Sequence, residues 1–542
     1  MMVIMKRLSF FLILLFCTSL TNPPEADEIF YNGKIYTVDS TFRIAEAFAV
    51  RQGKIIAVGS NSLIKSYKAK NKTDLRGRSV FPGFIDAHCH FYGYGTDLKK
   101  IALFGSTSFD EILDTLKRNR NQLYMGWLFG RGWDQNDWKI KEYPDRKMLD
   151  VLFPDVPVFL MRIDGHAALV NSKALELAGI TTSTKINGGE IILKDGQPTG
   201  LLIDNAVDLV KNKIPEPGDD YKTQSLLIAQ QNCFEVGLTT IDDAGLERDK
   251  IELIDKLHKN GRLKMRIYAM VTCDSAGRAY YFKHGKYKTE RLNVSSFKMY
   301  ADGALGSRGA AMLTDYNDAH QHTGFLLKDA DSLLIIAREI YQSGFQFNTH
   351  CIGDSANRLM LHIYKQVLNG DKSSRWRIEH AQVVHPDDFH YFGENGIIPS
   401  VQPVHATSDM YWAEDRIGKR IENAYAYKKL LKESNMLAAG SDFPVEAINP
   451  LFGFYAAVTR QDQKGFPEKG FQNQNALTRE EALKSMTIWA AYSNFEEKDK
   501  GSIELGKYAD FVIMHDDIMT MKASDIYKAK VFSTYINGEK VY

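Results

Sequence analysis

Two histidines, His88 and His90, stand at the end of the apolar run PGFIDAHCH. Alternate residues of an extended strand share a face, so both imidazoles can converge on one point while Cys89 turns away. Further along, FNTH ends in His350, RIEH in His380 and LAAGSD in Asp442, and Lys298 sits inside the apolar run VSSFKMYADG. Imidazole and carboxylate suit divalent zinc, manganese or iron, and imidazole especially suits zinc. An ammonium would repel such ions. Lys298 fits only if carbon dioxide converts it to an anionic carbamate, whose two oxygens can bridge two metals. Taken singly, each residue has a plainer explanation. A strand-end histidine is commonly a solvated or capping residue, and an aspartate in SDFP commonly starts a turn or a helix. Taken together, each at or near the end of its own apolar run, they point to a metal centre.

Such a centre needs elements that bring distant residues together. The stretch from about 84 to 490 alternates strand-like runs with helical patterns: GLTTIDDAG, LKMRIYAMV, GFQFNTHCIGD, GIIPSVQP and NMLAAGSDFP, with amphipathic segments such as DSLLIIAREIYQSG between several of them. This alternation predicts an α/β fold with a parallel sheet, and the number of units predicts a closed barrel. The candidate ligands then fall on the C-terminal edge of the strands, where barrel sites are built. The segment from about 120 to 215 breaks the pattern with GWLFGRGWDQNDW and the Gly-rich NGGEIILKDGQPTG, and reads as an insertion able to cover the barrel mouth. Near the N-terminus, EIFYNGKIYTVDS and FAVRQGKIIAVGS read as two hairpins, and VFSTYINGEKVY near the C-terminus reads as another. Strands at both ends predict that the termini pair into one small β domain made from residues 27–83 and 491–542.

The chain has 542 residues, 44% hydrophobic and 25% charged, with Lys plus Arg 68 against Asp plus Glu 67. That balance offers no basic footprint for a polyanion, and no nucleic-acid-binding motif is present in the sequence. Lys6 and Arg7 precede the apolar run LSFFLILLFC and the polar TNPPEADE, the pattern of a signal peptide over residues 1–22 and of an exported, periplasmic protein. Cys17 stands where a lipoprotein signal carries its lipidated cysteine, although Phe16 is larger than the residue such a signal prefers; the alternative to a cleaved signal is thus a lipid anchor to the cell envelope. The remaining cysteines, Cys89, Cys233, Cys273 and Cys351, are scattered and contain no CxxC, so buried free thiols are expected.

The motifs FYNGKIYTVD, PGFIDAHCH, RIDGHAALVNSKAL, FKMYADGALGSRGA, THCIGDSANR, RIEHAQ, AAGSDFPVEAINP and GSIELGKYADFVIM together resemble the amidohydrolase superfamily, in particular amidohydrolase family 3 enzymes similar to N-substituted formamide deformylases. The resemblance covers nearly the whole mature chain and implies an α/β fold, a (β/α)8 TIM-like barrel with a small β-sandwich domain formed by both termini. It implies that His88, His90 and Asp442 hold one metal, that His350 and His380 hold the other, and that carboxylated Lys298 bridges two ions, with Zn2+ the expected metal. It also implies a homodimer acting on a small-molecule substrate. Metal-activated water would then attack an amide-type carbonyl, cleaving a non-peptide C–N bond, with Asp442 as general base and then acid. Cyclic amides, carbamates and esters are alternatives for the same chemistry, and a catalytically dead exported binding protein is the alternative outside enzymes. His166, His405, Arg308, Trp133 and Tyr92 are the candidate substrate-binding residues. Trp138 and Trp412 are further candidate aromatics, and Asp302 beside Gly303 reads as a turn residue shaping the site.

Overall fold

The computed structural model describes residues 23–542. The expected export signal and Cys17 lie outside the described residues. Among the described residues no helix is long and apolar enough to cross a membrane.

At the centre eight parallel strands follow one another in chain order: β1 (Phe84–Cys89), β2 (Leu238–Leu246), β3 (Arg266–Thr272), β4 (Leu292–Tyr300), β5 (Gln346–Cys351), β6 (Arg377–His380), β7 (Ile398–Val401) and β8 (Ala438–Ala439). These are the apolar runs singled out by periodicity, and nearly all their residues are buried. Helices such as Ala330–Gln342, N-capped by Asp329, and Asp354–Leu368 alternate with the strands and share their outer hydrophobic cluster. The sheet is nearly closed. Its first and last strands are tied beyond the ladder, where the Asp442 amide donates to His88 O at 2.7 Å and the His90 amide to Phe443 O at 2.8 Å.

Gly440 permits this seam. A Cβ there would lie 2.4 Å from His88 N and 2.7 Å from His88 O, both backbone atoms that cannot swing aside. Gly440→Ala is therefore expected to destabilise by about 1–3 kcal/mol. It should also loosen metal binding, because the displaced strand carries His88. A thermal midpoint and metal content equal to wild type would contradict this.

Both ends of the chain contribute to two further sheets. One contains Glu25–Tyr31, Ala47–Arg51, Lys54–Gly59 and Lys68–Asp74; the other joins Lys34–Tyr36, Ile44–Ala45 and Ser79–Pro82 to Phe511–Met514, Val531–Ile536 and Glu539–Lys540. They share one cluster that includes Phe30, Phe48, Val80, Phe511 and Tyr535. The QGK and C-terminal NG turns close hairpins, as expected. The first NG turn does not. There the chain crosses from one sheet to the other, which lets Phe30 and Ile35 face the same core from opposite sides.

A separate six-stranded sheet is inserted between β1 and β2. It runs from Ile101–Ala102 through Leu128–Trp133, Val158–Arg162, Ala167–Val170 and Gln197–Asp204 to Gly189–Lys194, with its own hydrophobic clusters. Its first strand precedes the stretch marked out by composition, because Ile101–Ala102 is too short to show a period.

Candidate metal centre

The strands aim the ligand candidates by simple alternation, with two exceptions. On β1, Cys89 packs into the outer cluster, while His88 beside it turns inward. On β4, Phe297 and Met299 pack outward, which sends Lys298 and Tyr300 inward. On β6, Ile378 packs outward and Glu379 inward, so strict alternation would carry His380 away from the barrel interior. The backbone instead turns left-handed at His380, φ 72°, and brings its imidazole back to the mouth. Asp442, just past β8, also sits at positive φ, 63°. Non-glycine residues held there store local strain, and such strain gathers at functional sites.

All six expected ligands meet at one end of the barrel. Ligand atoms of His88, His380 and Asp442 lie within 4.8 Å of one another. His90 Nε2 is 3.2 Å and His88 Nε2 3.6 Å from Asp442 Oδ1, and Lys298 Nζ is 3.4 Å from His88 Nε2. The His350 ring lies 4.5 Å from that of His380, with its Nε2 3.3 Å from Gly303 O and 3.7 Å from Asp302 Oδ1. The tightest group thus takes His88 and Asp442 from one expected set and His380 from the other.

These groups fit a cation. Asp442 Oδ1 is buried without a hydrogen bond despite the two imidazole nitrogens near it, and the His405 Nε2 is likewise buried and unpartnered. A buried carboxylate oxygen facing imidazole nitrogens without bonding to them is an expensive arrangement for protein alone and an ordinary one around a divalent metal.

The electrostatics agree. Burial, reinforced by the charge of Lys298, lowers His88 to about 4, and burial holds His350 and His380 well below the usual range, so all three are neutral donors. Burial would raise the Asp442 carboxyl, but His90, His88 and His380 outweigh it and hold the group ionised well below its ordinary value. Burial also lowers Lys298 to about 8, which makes its free amine accessible near neutral pH.

The remaining candidates divide. His166 reaches the centre from the insertion, with its ring 5.1 Å from that of His350. His405 stacks 6.1 Å from His380, and its Nε2 lies 3.9 Å from Asp442 Oδ2. Arg308 is not free for a substrate carboxylate, because it pairs with Asp318 at 2.8 Å. Trp133 and Trp138 do not line the mouth. They are buried in the insertion's core, where their ring N–H groups donate to Leu160 O at 2.8 Å and Ser106 O at 3.0 Å. Trp412 is buried in the outer cluster of the barrel, and Tyr92 packs partly buried against it, its amide donating to Asp243 Oδ2 at 3.0 Å. Asp302 does shape the site. Its carboxylate accepts from Ala311, Ile352 and Gly353 amides at 2.8–3.0 Å, and burial pushes it up to about 7.

Sequence reading missed Glu379. Its carboxylate bonds His88 Nδ1 and pairs with Arg377 Nε at 2.7 Å; Arg377 in turn reaches Asp242 Oδ2 at 3.0 Å. Three of these four residues are charged and fully buried, and the network runs across β1, β2 and β6. The bond to Nδ1 leaves His88 Nε2 facing the metal position, as carboxylates behind metal-binding histidines do. Gln402 Oε1 does the same for His380 Nδ1 at 2.7 Å. The available signal was the spacing of Arg375, Arg377 and Glu379 at alternate positions of RWRIEHAQ.

A model of the amidohydrolase family matches residues 73–542. The chain is 33% identical to Protein LONG AFTER FAR-RED 3 of Arabidopsis thaliana, over 97% of this chain and 93% of that one. It is 32% identical to Putative amidohydrolase YtcJ of Bacillus subtilis, over 95% and 99%, and 26% identical to N-substituted formamide deformylase of Arthrobacter pascens, over 94% and 97%. Among solved structures, an uncharacterized metal-dependent hydrolase from Pyrococcus horikoshii superposes with a TM-score of 0.74 at 27% identity, covering 92% of this chain and 99% of that one.

Proposed function

This chain belongs to the amidohydrolase family and is a metal-dependent hydrolase; on that footing we propose that it cleaves the C–N bond of an N-acyl or N-formyl amine. The observation that carries the proposal is the meeting of His88, His380 and Asp442 with Lys298 at the barrel mouth. The amide class draws support from the similarity to a protein named for deformylating N-substituted formamides.

His88, His90, His350, His380 and Asp442 would hold one or two divalent ions, with Lys298 as a carbamate between them. Carbamate formation joins the Lys298 amine to carbon dioxide and releases a proton, which the lowered pKa of that amine favours. When bound, the metal supplies a water acidified from about 15.7 towards 7 and polarises the carbonyl oxygen. Asp442, ionised and unbonded at Oδ1, takes the proton of the attacking water and passes it to the departing amine. His405, 3.9 Å from that carboxylate, faces the same space and is placed to meet substrate. The charged and then apolar N-terminal run further supports an exported enzyme.

Metal per chain, measured on protein purified without chelator, tests the reading together with hydrolysis of 4-nitroformanilide, 4-nitroacetanilide and 4-nitrophenyl acetate. About two equivalents are expected for a bridged pair. Lys298→Ala should lose at least one of them, along with the carbamate signal seen by 13C NMR after labelling with bicarbonate. Metal content unaffected by Lys298→Ala would remove the bridge. Ester turnover without anilide turnover would move the substrate class away from amides.

A further inference from the structure

The insertion sends one imidazole into the barrel mouth. His166 lies between strands Val158–Arg162 and Ala167–Val170, and its ring centroid is 5.1 Å from that of His350 and 6.1 Å from that of Tyr300. Three bonds fix the residue. Its amide donates to Asp164 Oδ1 at 3.0 Å, its carbonyl accepts from the Asp204 amide at 2.8 Å, and its Nδ1 lies 2.6 Å from Asp204 Oδ1. The ring cannot swing away without breaking the last of these. Among the described residues Nε2 makes no hydrogen bond, and the side chain keeps 15% of its surface open.

Asp204 is held as firmly. Its side chain is fully buried, and it ends strand Gln197–Asp204 at φ 49°. The loop after β4 makes room for it. A Cβ at Gly303 or at Gly309 would come within 2.3 Å or 2.1 Å of Asp204 Oδ2. Two glycines of ADGALGSRGA thus form a cradle for a carboxylate that arrives from the insertion. The same loop touches the metal centre, since Gly303 O lies 3.3 Å from His350 Nε2. A His–Asp pair that only tied the insertion to the barrel would not need its imidazole against a candidate ligand with one nitrogen left open.

We propose that His166 contacts the scissile amide group at the metal centre and that Asp204, seated between Gly303 and Gly309, is the positioning residue that aims it. The insertion is therefore part of the catalytic site and not only a cover over it. This rests on the hydrolase reading above.

The test uses the zinc-loaded full chain with two probes: turnover of 4-nitroformanilide, and calorimetric binding of acetohydroxamate, a metal-directed ligand that carries an amide group. His166→Ala should lower kcat/KM by about 100-fold, the scale of one lost contact to the reacting group. It should also weaken acetohydroxamate by about 10-fold, with zinc per chain and thermal midpoint unchanged. Asp204→Asn should act in the same direction. The double variant should be no worse than His166→Ala, because residues acting as a unit are not additive. Gly309→Ala, which touches no substrate, should lower kcat/KM in the wild-type background and have no effect in the His166→Ala background. His166→Gln serves as a second variant if His166→Ala folds poorly. Values within about threefold of wild type on both probes for His166→Ala, or full additivity with Asp204→Asn, would overturn the proposal. If wild type leaves the anilide intact, the amide reading fails, and acetohydroxamate binding still decides the role of His166.

Discussion

Asp442→Asn should lower turnover by about 10²–10⁴-fold while the metal stays bound, the range expected when a positioned general acid–base is removed. Asparagine keeps the shape of the side chain and one carbonyl oxygen able to face a cation. It removes the ability to accept and return a proton. The geometry makes the carboxylate hard to replace: its amide is pinned to His88 O at 2.7 Å, its backbone is left-handed at φ 63°, and Oδ1 has no hydrogen bond of its own. The surrounding imidazoles keep it ionised at neutral pH, the form that can take a proton. The check is kcat on 4-nitroformanilide beside zinc content by mass spectrometry. Near-normal turnover with full zinc would assign the proton transfer elsewhere, with His405 the next group to test.

The second large effect is expected from a residue that need not touch the metal. Glu379→Gln should weaken zinc by about 10–100-fold in a chelator competition, the usual consequence of removing a carboxylate behind a ligating histidine. A glutamine at 379 can accept from His88 through its oxygen, but it no longer neutralises Arg377, which is fully buried between Glu379 and Asp242. Breaking a buried ion pair from one side costs on the order of 3–5 kcal/mol, so a lower thermal midpoint should accompany the weaker zinc. The pH dependence has a definite sign. Burial acts to raise the Glu379 carboxyl, but Arg377 and His88 more than reverse it and leave its folded pKa below the ordinary range. Its stabilising contribution is therefore complete above the unfolded value of about 4.3 and fades as pH falls below it. The glutamine variant should lose that part of the acid sensitivity. Unchanged zinc affinity together with a lowered midpoint would make Glu379 a structural residue only.

What the chain states locally is which residues end its apolar runs. His88, Lys298, His350, His380 and Asp442 each follow or interrupt such a run, and a parallel barrel places those ends together, so the fold and the ligand candidates were both legible in the order of residues. The buried free cysteines were legible from their scattered placement and the absence of a CxxC. Side-chain direction was less so. Alternation gives the faces of β1 and β4, but His380 reaches the mouth only through a left-handed turn that its sequence does not announce. Partnerships between distant segments were not legible at all. Trp133 and Trp138 look like pocket aromatics until the insertion closes its own core around them, and Arg308 looks free until the loop brings Asp318 within 2.8 Å. Glu379 meets His88 across 291 residues, and Asp204 enters a cradle in a loop about a hundred residues later. Periodicity is a property of neighbours along the chain. Which buried carboxylate faces which imidazole depends on strand register, on the closure of the barrel, and on two glycines leaving room where any side chain would have filled it.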